Sequence, residues 1–183
     1  CHCVWNVGDS MSKLQVETIS HTNNTTALSI DSSGRVTVPQ QIAFEVALTN
    51  SGGNNGVQGS IVFDKVHINK GSHYDSSNGR FTAPIAGLYR FDFHCFVAGA
   101  TNGTQLGNGT NFQAQLLKNG TTGSDTSRLY TMVSANNHVH ASFHSMMDLS
   151  ATDYVNVNVS NGYIYVDSGG GGDYNRFSGY LIG

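Results

Sequence analysis

Residues 63–93, FDKVHINKGSHYDSSNGRFTAPIAGLYRFDF, decide how the rest of the chain is read. They hold a short strand, a turn-rich passage, a second short strand at Gly79-Arg80-Phe81-Thr82, a stop at Pro84 and a long alternating segment. In that segment Tyr89, Phe91, Phe93, Cys95 and Val97 fall on one face and Arg90, Asp92 and His94 on the other, as period-two alternation requires. One face is therefore core, and the segment predicts a half-buried strand.

Working outward, the same pattern recurs. Toward the N-terminus, Leu14, Val16 and Thr18 mark a short strand. Leu28 and Ile30 then lead through Asp31-Ser32-Ser33-Gly34 and out by Val36 and Val38, which predicts a hairpin with Gly34 supplying the turn. Two strands alone bury too little to be stable in water, so this hairpin has to pack on something. Pro39 marks a boundary, dividing the chain into a leader, residues 1–40, and a larger domain, residues 41–183. That domain opens with Ile42, Phe44, Val46 and Leu48 in alternation. Residues 49–60 and 98–111, rich in Gly, Asn and Thr, are expected to be loops. Strands are expected at Phe112 to Leu116, at residues 128–134, 138–149, 154–159 and 163–166, and at the closing Arg176-Phe177-Ser178-Gly179-Tyr180-Leu181-Ile182. No segment carries apolar residues at spacings of three and four, so the expectation is all-β.

Composition narrows the function. With 183 residues, 22 Gly and only 11% charged residues, the chain suits one turn-rich sheet domain with an attachment. A net charge of −3 with nine Lys and Arg offers no basic stripe for a nucleic acid. No apolar run reaches the ~20 residues of a bilayer span, so a membrane is not an expected partner. Met11-Ser12-Lys13-Leu14 resembles a native start, which sets residues 1–10 apart as a remnant or an artefact. The three Cys cannot form a framework of paired disulfides; Cys95 reads as a small core residue, and Cys1 and Cys3 around His2 supply too few ligands for a closed metal site.

Phe63, Asn69, Tyr74, Phe81, Gly87, Tyr89, Phe91 and Phe93 stand at the separations of the globular C1q domain signature, and from residue 41 onward the chain resembles that family, part of the tumour necrosis factor-like superfamily. The resemblance implies a ten-stranded jelly roll that assembles as a homotrimer and serves binding, with no cofactor. The leader, through its polar hairpin and Asp-Ser-Ser-Gly-Arg-Val-Thr-Val-Pro run, resembles the front segments of tailed-bacteriophage tail-fibre and appendage proteins. That second resemblance implies docking to other virion proteins through residues 11–40. A mobile linker is the plain alternative.

A sandwich with aromatic side chains on both sides of its strands must cover the outer ones. Phe96 lies on the reverse face of the Tyr89 strand, and Phe177 and Tyr180 lie on opposite faces of the closing strand, which makes Phe96, Phe177 and Tyr180 candidates for a trimer contact. Burying one such side chain contributes about 1.5–3 kcal/mol, so a ring of them outweighs the cost of association.

Catalytic signals are sparse. His138, His140 and His144 share a strand face with Ser142 and Met146, and around a three-fold axis they would gather imidazoles into a weak candidate transition-metal site. A polar sheet face at a subunit contact is the favoured reading, since no carboxylate is identifiable to orient the imidazoles. His138-Val139-His140 resembles part of the cupin metal motif, but the Glu that motif needs downstream is missing from Ala141-Ser142-Phe143-His144-Ser145-Met146. Asp167 and Asp173 are too few for the six to eight oxygens that calcium takes. No nucleophile elbow, His-Glu-x-x-His or phosphate-binding glycine loop occurs, so no enzyme is expected. The sequence points to a virion knob, a tail-fibre head or capsid decoration that attaches to a host-surface glycan or protein. The competing reading is a secreted animal recognition lectin, against which stands the lack of a collagen repeat or heptad stretch.

Overall fold

The computed structural model describes residues 15–49, 56–98, 100–101, 104–105, 110–121, 127–133, 139–166 and 173–183. These form two units, one ending at Gln41 and the other spanning Ile42–Gly183, each compact in itself. No helix occurs among the described residues.

The first unit is a three-stranded antiparallel sheet of β1 (Thr18–Ser20), β2 (Thr26–Ile30) and β3 (Val36–Thr37), in that order. The hairpin between β2 and β3 turns where the sequence places it. Asp31 caps the turn by accepting bonds from the backbone N–H groups of Ser33 and Arg35, both at 2.9 Å, and Gly34 adopts a φ of 78°. The strand expected at Leu14 and Val16 is displaced to Thr18–Ser20, and Leu14 lies outside the described residues.

The second unit is a jelly-roll sandwich. Its strands are β4 (Ala43–Ala47), β5 (Gly56–Ser60), β6 (Lys65–Lys70), β7 (Tyr74–Asp75), β8 (Arg80–Thr82), β9 (Gly87–Val97), β10 (Ala100–Thr101), β11 (Thr104–Gln105), β12 (Thr110–Lys118), β13 (Ser127–Val133), β14 (Val139–Leu149), β15 (Tyr154–Tyr165) and β16 (Arg176–Leu181). One layer runs β6-β4-β16-β9-β14. The other runs β13-β12-β15, with β5 and β8 along the far side of β15 and β7 beyond β8. The layers join at one corner, where Ile164 of β15 pairs with Val97 of β9.

Strand β9 behaves as its sequence dictates: Tyr89, Phe91, Phe93, Cys95 and Val97 are buried to 1% exposure or less, while His94 is exposed. Between the layers Phe44 stacks on Phe81 at 4.9 Å and meets the edge of Phe177 at 4.9 Å. Such offset and edge contacts add to the area buried by each ring. Gly179 makes room for them, since a Cβ there would lie 2.6 Å from the Phe91 ring and 2.8 Å from that of Phe44. The Cys95 thiol, pushed up to about 12 by burial, is inert.

Three expectations are corrected. Residues 49–60 are not all loop, because β5 forms there on backbone bonds to β15, which a Gly-rich stretch supplies as well as any other. Likewise β10, β11 and the start of β12 lie within residues 98–111. The strands expected at 154–159 and 163–166 are one strand, β15, which continues through a register shift at Gly162 with a φ of 72°. A Gly in a strand at such a point allows the bend without ending the pairing.

Candidate assembly and recognition surface

The signature residues build the fold and leave the surfaces to others. Phe63, Phe81, Tyr89, Phe91 and Phe93 are core. Asn69 donates its side-chain N–H to the Tyr74 carbonyl at 2.8 Å and accepts from the Tyr74 N–H at 3.1 Å, which closes the turn between β6 and β7. The Tyr74 hydroxyl donates to the Phe63 carbonyl and accepts its N–H, and burial holds this phenol well above its ordinary pKa. Gly87 sits where a Cβ would lie 2.9 Å from Leu181.

Function has to be sought on the backs of the two sheets. On the five-stranded layer, cross-strand partners share a side, so pairing assembles the outward residues into rows. One row is Ser142, His94, Arg176 and the buried Ala47; the next is His144, Asp92, Ser178, Glu45 and Ile68; a third is Met146, Arg90, Tyr180, Ala43 and Lys70. Between the first two rows opens a depression of about 380 Å³ lined by Glu45, Asp92, His94, His144, Arg176 and their neighbours. Its charges are already paired: Arg176 binds Glu45, and the Arg90 guanidinium grips Asp92 at 2.9 and 3.0 Å. At the edge Asp173 accepts from Lys65 at 2.9 Å and lies 3.0 Å from His67, and the Lys65 ammonium lowers its pKa. A carboxylate so engaged is a poor start for a calcium site; Asp167 lies outside the described residues.

His140 lies flat on His94, with 5.2 Å between ring centres and 16° between planes, and against Phe96 at 4.6 Å. Phe96 in turn meets Tyr165 and Tyr174, each at 5.6 Å. Burial, the neighbouring His140 and the Arg176 charge lower the pKa of His94. The histidines therefore enter an aromatic stack, and His144 stands apart, paired across the strands with Asp92. Among the described residues no group of three His, Cys, Asp or Glu is arranged to hold a metal, and His138 lies outside them.

Of the three assembly candidates, Phe96 and Tyr180 do lie on this outward face, Tyr180 at 40% exposure. Phe177 is corrected: it is fully buried within its own sandwich among Phe44, Phe63 and Phe91 and has no surface to offer. Parity separates the two sides of a strand without saying which is inside. Sequence reading missed Arg176, Glu45 and the His94–His140 stack as neighbours, since only strand pairing brings positions 45, 94, 140 and 176 together. Asn175, also missed, is fully buried and ties the end of the sandwich, accepting from the Phe96 N–H and donating to the Tyr165 carbonyl, both at 2.8 Å.

The back of the other layer has a different chemistry. It exposes Tyr130 and Met132 on β13, and Arg80 lies 4.2 Å above the ring of Tyr154. Between them Gln115 and Asn156 are buried with Oε1 and Oδ1 unpartnered, although Gln115 donates to Asn158 at 3.3 Å.

Comparison with known proteins agrees with this architecture. Zebrafish (Danio rerio) Caprin-2 is 30% identical over 142 residues, a stretch covering 78% of this chain and 14% of that protein, so the chain spans a small part of its relative's length. The globular domain of zebrafish complement 1qA protein superimposes with a TM-score of 0.54 at 17% identity, covering 78% of this chain and 98% of that one. Eiger TNF from S. frugiperda does so with a TM-score of 0.55 at 10% identity, covering 79% and 94%, a likeness of fold alone. The C1q domain profile matches residues 43–182, and the chain belongs to the C1q domain family.

Proposed function

We propose that this chain is a non-enzymatic, homotrimeric recognition head carried on a tailed-phage virion, docked to other virion proteins by its leader and turned toward a host-surface glycan or protein. The observation that carries the assembly half is the back of the β6-β4-β16-β9-β14 layer. It leaves Ile68, Leu88, Met146 and Tyr180 at 38–64% exposure beside charges already neutralised within the subunit. An apolar face whose central ions, Arg176 with Glu45 and Arg90 with Asp92, are paired within the subunit is suited to burial against identical neighbours, with Lys70 on β6 and Asp148 on β14 left at its edges. Self-association is typical of the family, which supports the same reading. The back of the other layer, with Tyr130, Met132, Arg80 and Tyr154, is then left facing outward for recognition.

Light scattering at low micromolar concentration tests this. The expected species is a trimer, with Tyr180→Arg combined with Met146→Arg giving a folded monomer; a monomeric parent chain overturns it. A secreted animal lectin is the second reading, favoured by the zebrafish source of the 30% identical relative above. Copurification with capsid, portal or tail proteins supports the virion, and N-linked glycans on Asn102 or Asn108 support the lectin.

A further inference from the structure

Six asparagines in the chain stand directly before a glycine: Asn55, Asn78, Asn102, Asn108, Asn119 and Asn161. Such a pair is open to attack by the glycine nitrogen on the asparagine side chain, because a residue without Cβ neither blocks the approach nor resists the backbone turn that it needs. In a folded chain the outcome depends on where the side chain and the nitrogen are held. Asn55, Asn102 and Asn108 lie outside the described residues, and the other three are held differently. At Asn78 the side-chain N–H donates to Asp75 at 2.7 Å, the side-chain carbonyl accepts the Arg80 N–H at 3.1 Å, and the Gly79 N–H is taken by the Asp75 carbonyl at 2.9 Å. The Asn119 side chain donates to Asp153 at 2.8 Å and accepts the Tyr154 N–H at 2.9 Å. Both are clamped by other partners. Asn161 is exposed, its Oδ1 accepts the N–H of Gly162 itself at 3.0 Å, and its Nδ2 has no partner among the described residues. The strand is also irregular there: pairing with β12 shifts register between Gln113, opposite Asn161, and Ala114, opposite Val159, while pairing with β5 stops at Val159 and resumes at Ile164.

We propose that Asn161 is a self-modification site, its side-chain amide converted to a carboxylate through a cyclic imide with Gly162. The Gly162 nitrogen gives its proton to solvent base and bonds to Cγ of Asn161. The bond from Cγ to Nδ2 breaks, and Nδ2 leaves as ammonia with a proton from water. A water molecule then adds to one of the two imide carbonyls: breaking the bond from Cγ to the Gly162 nitrogen gives aspartate, and breaking the bond from the Asn161 main-chain carbonyl gives isoaspartate. No electron is gained or lost. The hydrogen bond to Oδ1 holds the carbon that is attacked beside the nitrogen that attacks, which shortens the search for the reacting geometry. Isoaspartate lengthens the main chain by one carbon, and β15 takes this up where a bulge already breaks its register. The product adds one negative charge to a chain of net charge −3. It stands in a row with Gln113 and the exposed Tyr130, so the outer face of the β13-β12-β15 layer changes its charge with age, whatever the assembly state.

The test incubates the full chain in mildly alkaline buffer and follows the peptides that carry Asn78, Asn119 and Asn161 by mass spectrometry, with isoaspartyl methyltransferase labelling to report the isomer. Conversion at Asn161 is expected to be at least ~10-fold faster than at Asn78 and Asn119 in the folded chain. It is expected to accelerate as pH rises, because the attacking nitrogen has to lose its proton, and the three rates are expected to converge in urea, where the clamps are gone. Asn161→Gln, whose longer side chain would have to close a larger ring, is expected to stop conversion at that position and leave the other two rates unchanged. Conversion at Asn161 no faster than at the two clamped positions overturns the proposal. A lead for Asn161 that persists undiminished in urea belongs to the local sequence and overturns it as well.

Discussion

The two units are both antiparallel sheet with apolar residues on one side, yet they stand in opposite positions with respect to burial. In the head, Phe44, Phe91 and Phe177 close over one another within a single chain. In the leader, Ile19, Val36 and Val38 are 44–60% exposed. Strand composition does not distinguish them; the second layer does. An apolar face becomes a core when another sheet covers it, and otherwise it is an interface in waiting.

The sharpest way to break the comparison is to open the head. Phe91→Ala removes the ring that Phe44, Phe81, Tyr89 and Phe177 all touch, and is expected to cost about 3–5 kcal/mol in urea unfolding. Tyr74→Phe keeps the ring and strips the hydroxyl from both polar groups of Phe63. Its expected cost is about 1–3 kcal/mol with an unchanged urea slope, because a buried N–H and C=O lose their partner. A loss below about 0.5 kcal/mol would mean that water reaches Phe63.

Acid distinguishes the middle of the five-stranded face from the carboxylate pairs at its edge and in the turns. His94 has a lowered pKa in the folded chain, so the unfolded chain binds the extra proton more readily. The stability this contributes is complete above the ordinary His value of about 6.5 and is lost as pH falls through the lower folded value. On that ground the β9-β16-β14 face is expected to weaken as pH falls below the ordinary His value of about 6.5, with His94→Asn flattening the profile. Asp173 and Asp153, their pKa values held down by Lys65 and by Asn119 and Ser150, begin to lose their contribution only below the ordinary carboxylate range, at still lower pH. Thermal melts of the parent and His94→Asn chains at pH 7.5, 6 and 5 read this directly; parallel profiles would remove His94 from the account.

What the sequence made legible follows the same division. Strand β9 was readable in full, because one side of it is entirely core and period two shows at once. The leader's hairpin was readable from Gly34 and the Asp31 cap, both local features. Failures came where local pattern is silent. β5 is held by backbone bonds to β15, and its own side chains are too small to announce it. Phe177 was placed on the wrong side, although Gly179 two residues on was a readable sign: a glycine on the same face makes room for rings, and rings crowd the inside. The assembly of Glu45, Asp92, His94 and Arg176 around one depression depends on strand order, which no single segment encodes.

The smallest expected effects sharpen the comparison most. Asn156→Val replaces a buried amide whose oxygen has no partner with a strand-forming apolar group, and is expected to stabilise the head by about 1 kcal/mol. Gly34→Val instead forces a branched side chain into a left-handed turn of the leader, where glycine alone is comfortable. Because the two units are separately compact, that substitution is expected to abolish the leader's hairpin while the unfolding free energy of the head stays within about 0.5 kcal/mol of the parent. A larger fall would show that head and leader share stability after all.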